Sequence, residues 1–229
     1  MAWSSIELPD ADVSIAADWL QAVQADALFA DLRQTIPWDV HRIRLFGRQV
    51  DSPRLSCWIG DAEATYTYSG TRFEPHPWPE ALLPIRDRLV DEIGIDFNSV
   101  LANLYRDGGD CMGWHGDNEA ALGLRPVIAS LSLGAVRRFV FKRRNGEQEP
   151  NSHPPPDQAR GRVFEHPLPQ RGEGQSTASN DGKLALQLPH GSLLLMRGDT
   201  QRNYKHALPR TSKRVDARIN LTFRRIVAA

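Results

Sequence analysis

The second half of the chain is a succession of short, strand-like segments. Apolar or alternating stretches recur from residue 99 onward, separated by glycine, proline and polar turn residues. The segments predicted as strands are Ser99–Tyr105, Ala129–Leu133, Phe139–Lys142, Leu184–Leu188, Ser192–Met196 and Arg218–Ile226. Strands this short cannot bury their apolar faces alone, so we expect a sheet sandwich or a barrel.

Two helices are predicted ahead of these strands. Residues 24–36 carry apolar side chains at helical spacing, and Pro37 ends the run. A second helix is expected to begin near Pro84 and to end at Gly94, which offers a left-handed C-cap. Helices followed by many strands predict an α+β fold.

Composition and length exclude several classes of protein. The chain has 229 residues, of which 41 % are hydrophobic and 24 % charged, which is typical of a globular protein and not of a disordered or fibrous one. No stretch is apolar enough for a membrane helix, and the first residues lack the pattern of a secretion signal. Cys57 and Cys111 cannot form a disulfide framework, so we expect an intracellular protein, cytoplasmic if the source is bacterial.

The net charge of zero conceals an uneven distribution. Residues 131–229 contain 18 basic and 8 acidic residues, a net charge of +10, whereas residues 1–40 carry a net charge of −6. Basic clusters in the second half could form a surface that follows a phosphate backbone. They could equally protect exposed strand edges. Residues 144–182, rich in proline and glycine, are predicted to be an insertion loop.

His115-Gly116-Asp117 is the first candidate for chemistry. In an extended segment residues i and i+2 point to the same side, so His115 and Asp117 can bind one metal ion together. Two histidines and one carboxylate form the open site of non-haem Fe(II) oxygenases, so a third ligand must come from elsewhere. His206 lies between two predicted strands, and an exposed or hydrogen-bonded imidazole is the alternative for it.

The last predicted strand is the second candidate. Its alternation places Arg218, Asn220, Thr222 and Arg224 on one face and apolar side chains on the other. Two guanidinium groups beside an amide and a hydroxyl can hold a dicarboxylate, although a face turned to water is the alternative. Asn103 and Tyr105 share one face of an earlier strand and can donate to the same anion.

In this order, these motifs resemble the AlkB family of Fe(II)- and 2-oxoglutarate-dependent dioxygenases, in particular the branch that repairs alkylated bases in duplex DNA. The resemblance covers about residues 40–227, apart from the insertion. It implies that His115, Asp117 and His206 bind Fe(II). It implies that the side chains of the cosubstrate site are Asn103, Tyr105, Arg218, Asn220, Thr222 and Arg224.

The resemblance also implies residues that contact substrate. Phe46, Gly47 and Arg48 are similar to a loop that probes the base stack, where an apolar wedge fills the gap left by a flipped nucleotide. Tyr66, Thr67 and Tyr68 correspond to a segment that contacts the extruded base. Asn118 stands where an acidic residue contacting the damaged base is expected, and Trp114 stands where a polar residue is common.

By the same resemblance, the chain is one domain with a double-stranded β-helix (jelly-roll) core and N-terminal helices packed on the sheet. Residues 1–40 are expected to form an N-terminal extension and helix, 41–98 a base-recognition lid region, and 99–227 the core. The implied reaction uses Fe(II), 2-oxoglutarate and dioxygen to demethylate 1-methyladenine or 3-methylcytosine, giving succinate, carbon dioxide and formaldehyde. The expected partner is alkylated duplex DNA with the damaged base flipped out. The protein is expected to be a monomer and to have no membrane partner.

Two alternatives remain. The same chemistry could act on RNA, a protein side chain or a small molecule, because family likeness indicates chemistry better than substrate. A chain that only binds nucleic acid, without iron or catalysis, is the second alternative.

Overall fold

Two antiparallel sheets pack against each other and form the framework of the fold. The structure is a computed structural model that describes residues 2–45, 48–68, 71–144, 177–179 and 183–227. The strands are β1 (Ser4–Ile6), β2 (Asp12–Ala16), β3 (Arg42–Leu45), β4 (Arg48–Asp51), β5 (Leu55–Gly60), β6 (Tyr66–Tyr68), β7 (Thr71–Phe73), β8 (Ser99–Tyr105), β9 (Met112–His115), β10 (Ile128–Gly134), β11 (Arg137–Arg143), β12 (Thr177–Ser179), β13 (Lys183–Leu188), β14 (Leu193–Arg197), β15 (Tyr204–Leu208) and β16 (Arg218–Arg224).

The strand order shows how distant segments meet. Within the described residues the larger sheet has the order β1-β2-β14-β10-β16-β8-β5, and the smaller has the order β12-β13-β11-β15-β9. β3 pairs with β4 and β6 pairs with β7, each as a separate hairpin. This double-sheet arrangement is a jelly roll.

The helices follow the sequence prediction closely. α1 spans Ala22–Thr35, and its C-cap Ile36 is extended, as expected for a residue before a proline. α2 spans Leu83–Ile93 and ends at Gly94 with φ 75°. A third, four-residue helix, α3, spans Thr200–Asn203 and was not predicted.

Apolar side chains form two layers, one on each face of the larger sheet. The layer between the sheets includes Phe141, Leu186 and Leu194. The layer on the opposite face joins Leu32 of α1 and Leu89 of α2 to strand residues. Burial of these side chains is the main term that favours this arrangement of sheets and helices.

α1 approaches the larger sheet at a glycine. Gly134, with φ 83°, is the last residue of β10, and a methyl group on it would lie 2.8 Å from Cε2 of Phe29. The same methyl would lie 2.5 Å from the carbonyl oxygen of Ala217. Only glycine fits both this close approach and the left-handed backbone.

All six predicted strands are confirmed, with bounds that shift by two residues at most. The prediction missed the remaining described strands because most are only three to five residues long, so their pairing depends on tertiary context. β12 lies inside the insertion loop predicted for residues 144–182. The prediction of a loop is therefore wrong for Thr177–Ser179, which form a strand. Residues 145–176 and 180–182 lie outside the described residues.

None of the helices in the described ranges is both long and apolar enough to cross a membrane.

Candidate metal centre and adjoining cavity

His115, Asp117 and His206 lie together between the two sheets. One potential ligand atom of each residue lies within 4.8 Å of the others. His115 ends β9 and is the direct cross-strand partner of His206 in β15, and their ring centroids are 4.2 Å apart. Strand pairing thus brings the H-x-D motif to the third residue, which lies far along the chain.

Hydrogen bonds fix the orientation of two of these side chains. Nδ1 of His115 lies 2.8 Å from the carbonyl oxygen of Gly113, which leaves Nε2 for a ligand. Oδ1 of Asp117 accepts a hydrogen bond of 2.5 Å from Nη2 of Arg224, and its Oδ2 lies 3.5 Å from Nε2 of His206. One carboxylate oxygen therefore faces a histidine nitrogen across the gap.

The protonation states suit a metal ion. Burial, aided by His206, lowers the pKa of His115 to about 3, and burial also lowers the pKa of His206. Burial raises the pKa of Asp117, but Arg224 and the two histidines outweigh it and hold the pKa below the ordinary value. Neutral imidazoles and an ionised carboxylate are the forms that bind metals. This donor set fits Fe(II).

A cavity adjoins the triad, and one face of β16 lines it. The alternation predicted for this strand is present, because Ile219, Leu221 and Phe223 belong to the apolar layer on the opposite face. The polar residues that line the cavity together with the triad are Asn103, Tyr105, Ser130, Arg218, Asn220, Thr222 and Arg224. All six residues predicted for the cosubstrate site are thus found around one cavity. The polar face of β16 lines this cavity and is not turned to water, so the alternative is wrong.

Arg218 is the buried cation of this cavity. It is 1 % exposed, and its Nη2 donates to Oγ of Ser132 at 2.8 Å. Its Nε and Nη1 are buried without a hydrogen-bond partner among the described residues, and burial lowers its pKa to about 10. A carboxylate in the cavity would satisfy an unpaired donor of this guanidinium through a charge-assisted hydrogen bond.

Asn103 and Tyr105 face Arg218 from the neighbouring strand β8. Tyr105 is the cross-strand partner of Arg218, and Asn103 is that of Asn220. Oδ1 of Asn103 accepts a hydrogen bond of 2.7 Å from Nε of Arg54, so its amide nitrogen is left to donate elsewhere. Arg54 was missed by the sequence analysis because it lies between strands, where no periodicity marks it.

Apolar side chains complete the cavity. The lining includes Met112, Phe139, Met196 and Leu208, none of which was proposed from sequence. The Phe139 ring stacks on His206, with centroids 5.2 Å apart and an interplanar angle of 27°. The alternation of β11 could have indicated an inward-facing Phe139, but not that its neighbour would be a metal ligand.

Asn118 lies at the exposed side of the triad. Its Oδ1 lies 3.4 Å from Nη2 of Arg144, and Arg144 is half-buried at the end of β11. Burial lowers the pKa of Arg144, and the carboxylate of Glu119 partly opposes that effect. Arg144 and Glu119 are therefore further charged residues beside the triad that the sequence analysis did not single out.

The other predicted substrate residues are placed only in part. Phe46 and Gly47 lie outside the described residues. Arg48 is the first residue of β4, and Tyr66, Thr67 and Tyr68 form β6, which pairs with Thr71–Phe73. The structure thus gives the strand positions of Arg48, Tyr66, Thr67 and Tyr68.

Comparison with known proteins identifies the family. Residues 12–224 match the model of the 2OG-Fe(II) oxygenase superfamily. The chain is 33 % identical over 229 residues to DNA oxidative demethylase ALKBH2 of Homo sapiens, covering 99 % of this chain and 77 % of the relative. The chain is an AlkB-family dioxygenase. Family membership implies Fe(II), 2-oxoglutarate and dioxygen, which agrees with the donor set of the triad.

Two further comparisons bear on this AlkB-family dioxygenase. It is 34 % identical over 215 residues to alpha-ketoglutarate-dependent dioxygenase alkB homolog 3 of Bos taurus, covering 93 % of this chain. The chain spans 66 % of the length of that relative. The solved structure of OsALKBH1 superimposes with a TM-score of 0.57 at 15 % identity, covering 97 % of this chain and 100 % of the other, which supports the fold alone.

Proposed function

We propose that this dioxygenase oxidatively demethylates N-alkylated bases of DNA, such as 1-methyladenine and 3-methylcytosine. The reaction would consume 2-oxoglutarate and dioxygen and give succinate, carbon dioxide and formaldehyde. The observation that carries the proposal is that a 2-His-1-carboxylate triad and the buried guanidinium of Arg218, whose Nε and Nη1 have no partner among the described residues, line the same cavity. A metal and a dicarboxylate can therefore be held side by side.

Each polar residue of the cavity then has a task. His115, Asp117 and His206 would hold Fe(II), which when bound supplies the oxidative decarboxylation of 2-oxoglutarate coupled to hydroxylation of the N-methyl carbon. Arg218 would bind the distal carboxylate of 2-oxoglutarate through its guanidinium group, with Asn103 and Tyr105 donating to the same carboxylate. The rest of the cosubstrate site would be lined by Asn220, Thr222 and Arg224.

The apolar part of the lining excludes water. Phe139 holds the imidazole of His206 in place by stacking, and the methionine and leucine side chains cover the remaining wall. Water exclusion strengthens the contacts between the buried guanidinium and a carboxylate. It also protects reactive species from side reactions.

Three observations support DNA as the substrate. The human relative is named a DNA oxidative demethylase. Residues 131–229 carry a net charge of +10. On β11, Lys142 is exposed and lies directly opposite Lys183 and Lys205, so three basic residues form one cross-strand row. Such a row suits a phosphate backbone.

The proposal extends to base recognition and domain organisation. Phe46, Gly47 and Arg48 would probe the base stack, while Tyr66, Thr67, Tyr68 and Asn118 would contact a base flipped out of the duplex, since methylated bases pair weakly and cost less to extrude. The chain would act as a monomeric single domain, with the N-terminal helices packed on the sheet, residues 41–98 as the base-recognition region and 99–227 as the core.

The test is reconstitution with Fe(II) and 2-oxoglutarate, then mass spectrometry of methylated oligonucleotides after exposure to air. Loss of one methyl group from 1-methyladenine or 3-methylcytosine, with succinate in equal amount, is expected. Methylated duplex DNA, single-stranded DNA and RNA are compared in parallel. Succinate formation without demethylation of any of the three would contradict the nucleic-acid substrate, and absence of both would contradict the chemistry.

A further inference from the structure

The side chain of Gln201 joins the segment that carries Asp117 to the wall of the cavity. Gln201 lies in α3 and is 2 % exposed. Its Oε1 accepts the backbone N–H of Asp117 at 3.0 Å, and its Nε2 lies 3.4 Å from Sδ of Met196. Met196 ends the apolar run of β14 and lines the cavity. One amide therefore touches both the metal-ligand segment and the cavity wall.

The chemistry of the partners determines which way this amide points. The Asp117 N–H is a donor, so it requires the carbonyl end of Gln201. The amide nitrogen must then face the methionine sulfur, a weak acceptor. A reversed amide would set two donors against each other in a buried place, which is costly.

α3 is fixed to the rest of the fold at both ends. Oγ1 of Thr200 accepts the backbone N–H of Asp12 at 2.9 Å, and Nδ2 of Asn203 donates to the carbonyl oxygen of Asp10 at 2.7 Å. Thr200 is also 1 % exposed. Gln201 thus projects from a turn whose position is set independently of the metal ligands.

The ligand segment lies directly on this turn. A methyl group on Gly116 would come within 3.2 Å of the carbonyl oxygen of Gln201 and 3.4 Å of that of Tyr204. Asp117 follows β9 and is not part of a strand, so no strand of the described ranges holds its backbone by a ladder hydrogen bond. The bond to Gln201 takes that place.

We propose that Gln201 is a positioning residue that sets the placement of Asp117 relative to His206. His206 follows α3 in β15, only three residues after the helix ends, so α3 holds one ligand through the chain and the other through the Gln201 amide. This inference rests on the proposed iron site. Hydrogen bonds that orient metal ligands typically change metal affinity about 10- to 100-fold when they are removed.

The experiment measures binding of Mn(II), a redox-stable probe of the site, in the presence of 2-oxoglutarate and without oxygen. The whole chain is titrated with Mn(II), and the concentration of unbound Mn(II) is measured by EPR. Gln201→Met, which keeps length and loses both polar atoms, is expected to raise the Mn(II) Kd at least about tenfold. Gln201→Glu keeps an oxygen acceptor of the same reach and is expected to remain within roughly threefold of the wild type.

Asn203→Ala is the matched control, because it removes an amide hydrogen bond of the same turn that does not reach Asp117. It is expected to lower the melting temperature and leave the Mn(II) Kd within about twofold of the wild type. If Gln201→Met does not fold, Gln201→Ser replaces it, with the same expected loss of affinity.

The outcomes are separable. A wild-type Kd in the Gln201→Met chain, equal weakening by Asn203→Ala, or equal weakening by Gln201→Glu would each overturn the positioning role and leave the iron site standing. Failure of the wild-type chain to bind Mn(II) would overturn the iron site, and this inference with it.

Discussion

Arg224 and Asp117 form a buried ion pair, with 2.5 Å between Nη2 and Oδ1, although 107 residues separate them. The pair joins the cavity-lining face of β16 to the triad of His115, Asp117 and His206. Arg224 therefore has two roles in the proposed function. Its positive charge keeps Asp117 ionised, and its side chain lines the cosubstrate cavity.

Arg224→Ala is expected to destabilise the metal-free chain and to weaken 2-oxoglutarate use. Removing one partner of a buried ion pair costs about 3–5 kcal/mol, or on the order of 10 °C in melting temperature. A divalent cation beside Asp117 supplies positive charge, so Mn(II) should recover part of that loss. Thermal unfolding with and without Mn(II) measures this. An identical loss in both conditions would contradict the shared role.

Arg218→Met is expected to affect stability and activity in opposite directions. In the part of the chain that the structure describes, two buried nitrogens of the Arg218 guanidinium have no hydrogen-bond partner, so the variant should unfold at the same temperature or higher. The KM for 2-oxoglutarate should rise on the order of 100-fold, because the carboxylate loses its charged partner. Arg138→Met, on the exposed side of β11, is the control and should change neither. A KM near the wild-type value would place the cosubstrate elsewhere.

His115→Ala is expected to abolish succinate formation while the fold is kept, because the triad loses a ligand and no residue of the apolar layers changes. His76→Ala removes an exposed imidazole and should remain fully active. Circular dichroism and a succinate assay with methylated oligonucleotide decide the matter. Turnover by the His115 variant at the rate of its control would refute the metal assignment.

Asp110 should make the stability depend on pH. Burial raises its pKa, but hydrogen bonds from the Arg106 side chain and backbone outweigh burial and hold the pKa below its ordinary value. The unfolded chain then binds the proton more readily, so this stabilisation is present above the ordinary aspartate pKa and is lost as the pH falls through the folded pKa.

Asp110→Asn should therefore lower the free energy of unfolding by about 1–2 kcal/mol at pH 7, a value reduced because the Arg106 side chain is 54 % exposed. The difference from the wild type should shrink below about pH 4. Urea titrations at pH 7 and pH 3 measure both values. A difference that does not change between the two pH values would show that the charge plays no part.

Lys142→Gln should weaken binding of duplex DNA in the proposed function. Lys142 is exposed in the middle of the lysine row of the smaller sheet. The loss of one phosphate contact should reduce the slope of log K against log salt by about one. Lys213→Gln, in an exposed loop, is the control. Fluorescence anisotropy over a salt series measures the slope, and equal slopes for both variants would remove this row from the DNA surface.

The sequence predicted those parts of the site whose signal is local. Alternation alone placed Arg218 and Asn220 on one face of a strand, and strand pairing confirms that face. From the residues alone, His206 remained open, because nothing in its neighbourhood shows that β15 pairs with the strand of His115. The family resemblance supplied that residue.

Other site residues could not have been predicted in this way. Arg54 reaches Asn103, and Gln201 reaches the backbone of Asp117, through side-chain hydrogen bonds across 49 and 84 residues. Such contacts exist only after the sheets have assembled, and they leave no periodic pattern in the chain. The short edge strands were missed for the same reason, because pairing and not local composition makes them extended.

The strands that line the cavity come from both sheets, with β8, β10, β14 and β16 from the larger and β9, β11 and β15 from the smaller. In the proposed function, a bound metal and dicarboxylate would contact residues of both sheets and so link the two sheets to each other. Ligands that bind only the folded chain stabilise it by about 2.7 kcal/mol at 100 times Kd. The lifetime of the folded chain would then depend on the supply of iron and 2-oxoglutarate. The protein would persist longest under the conditions in which both ligands, and therefore its activity, are available.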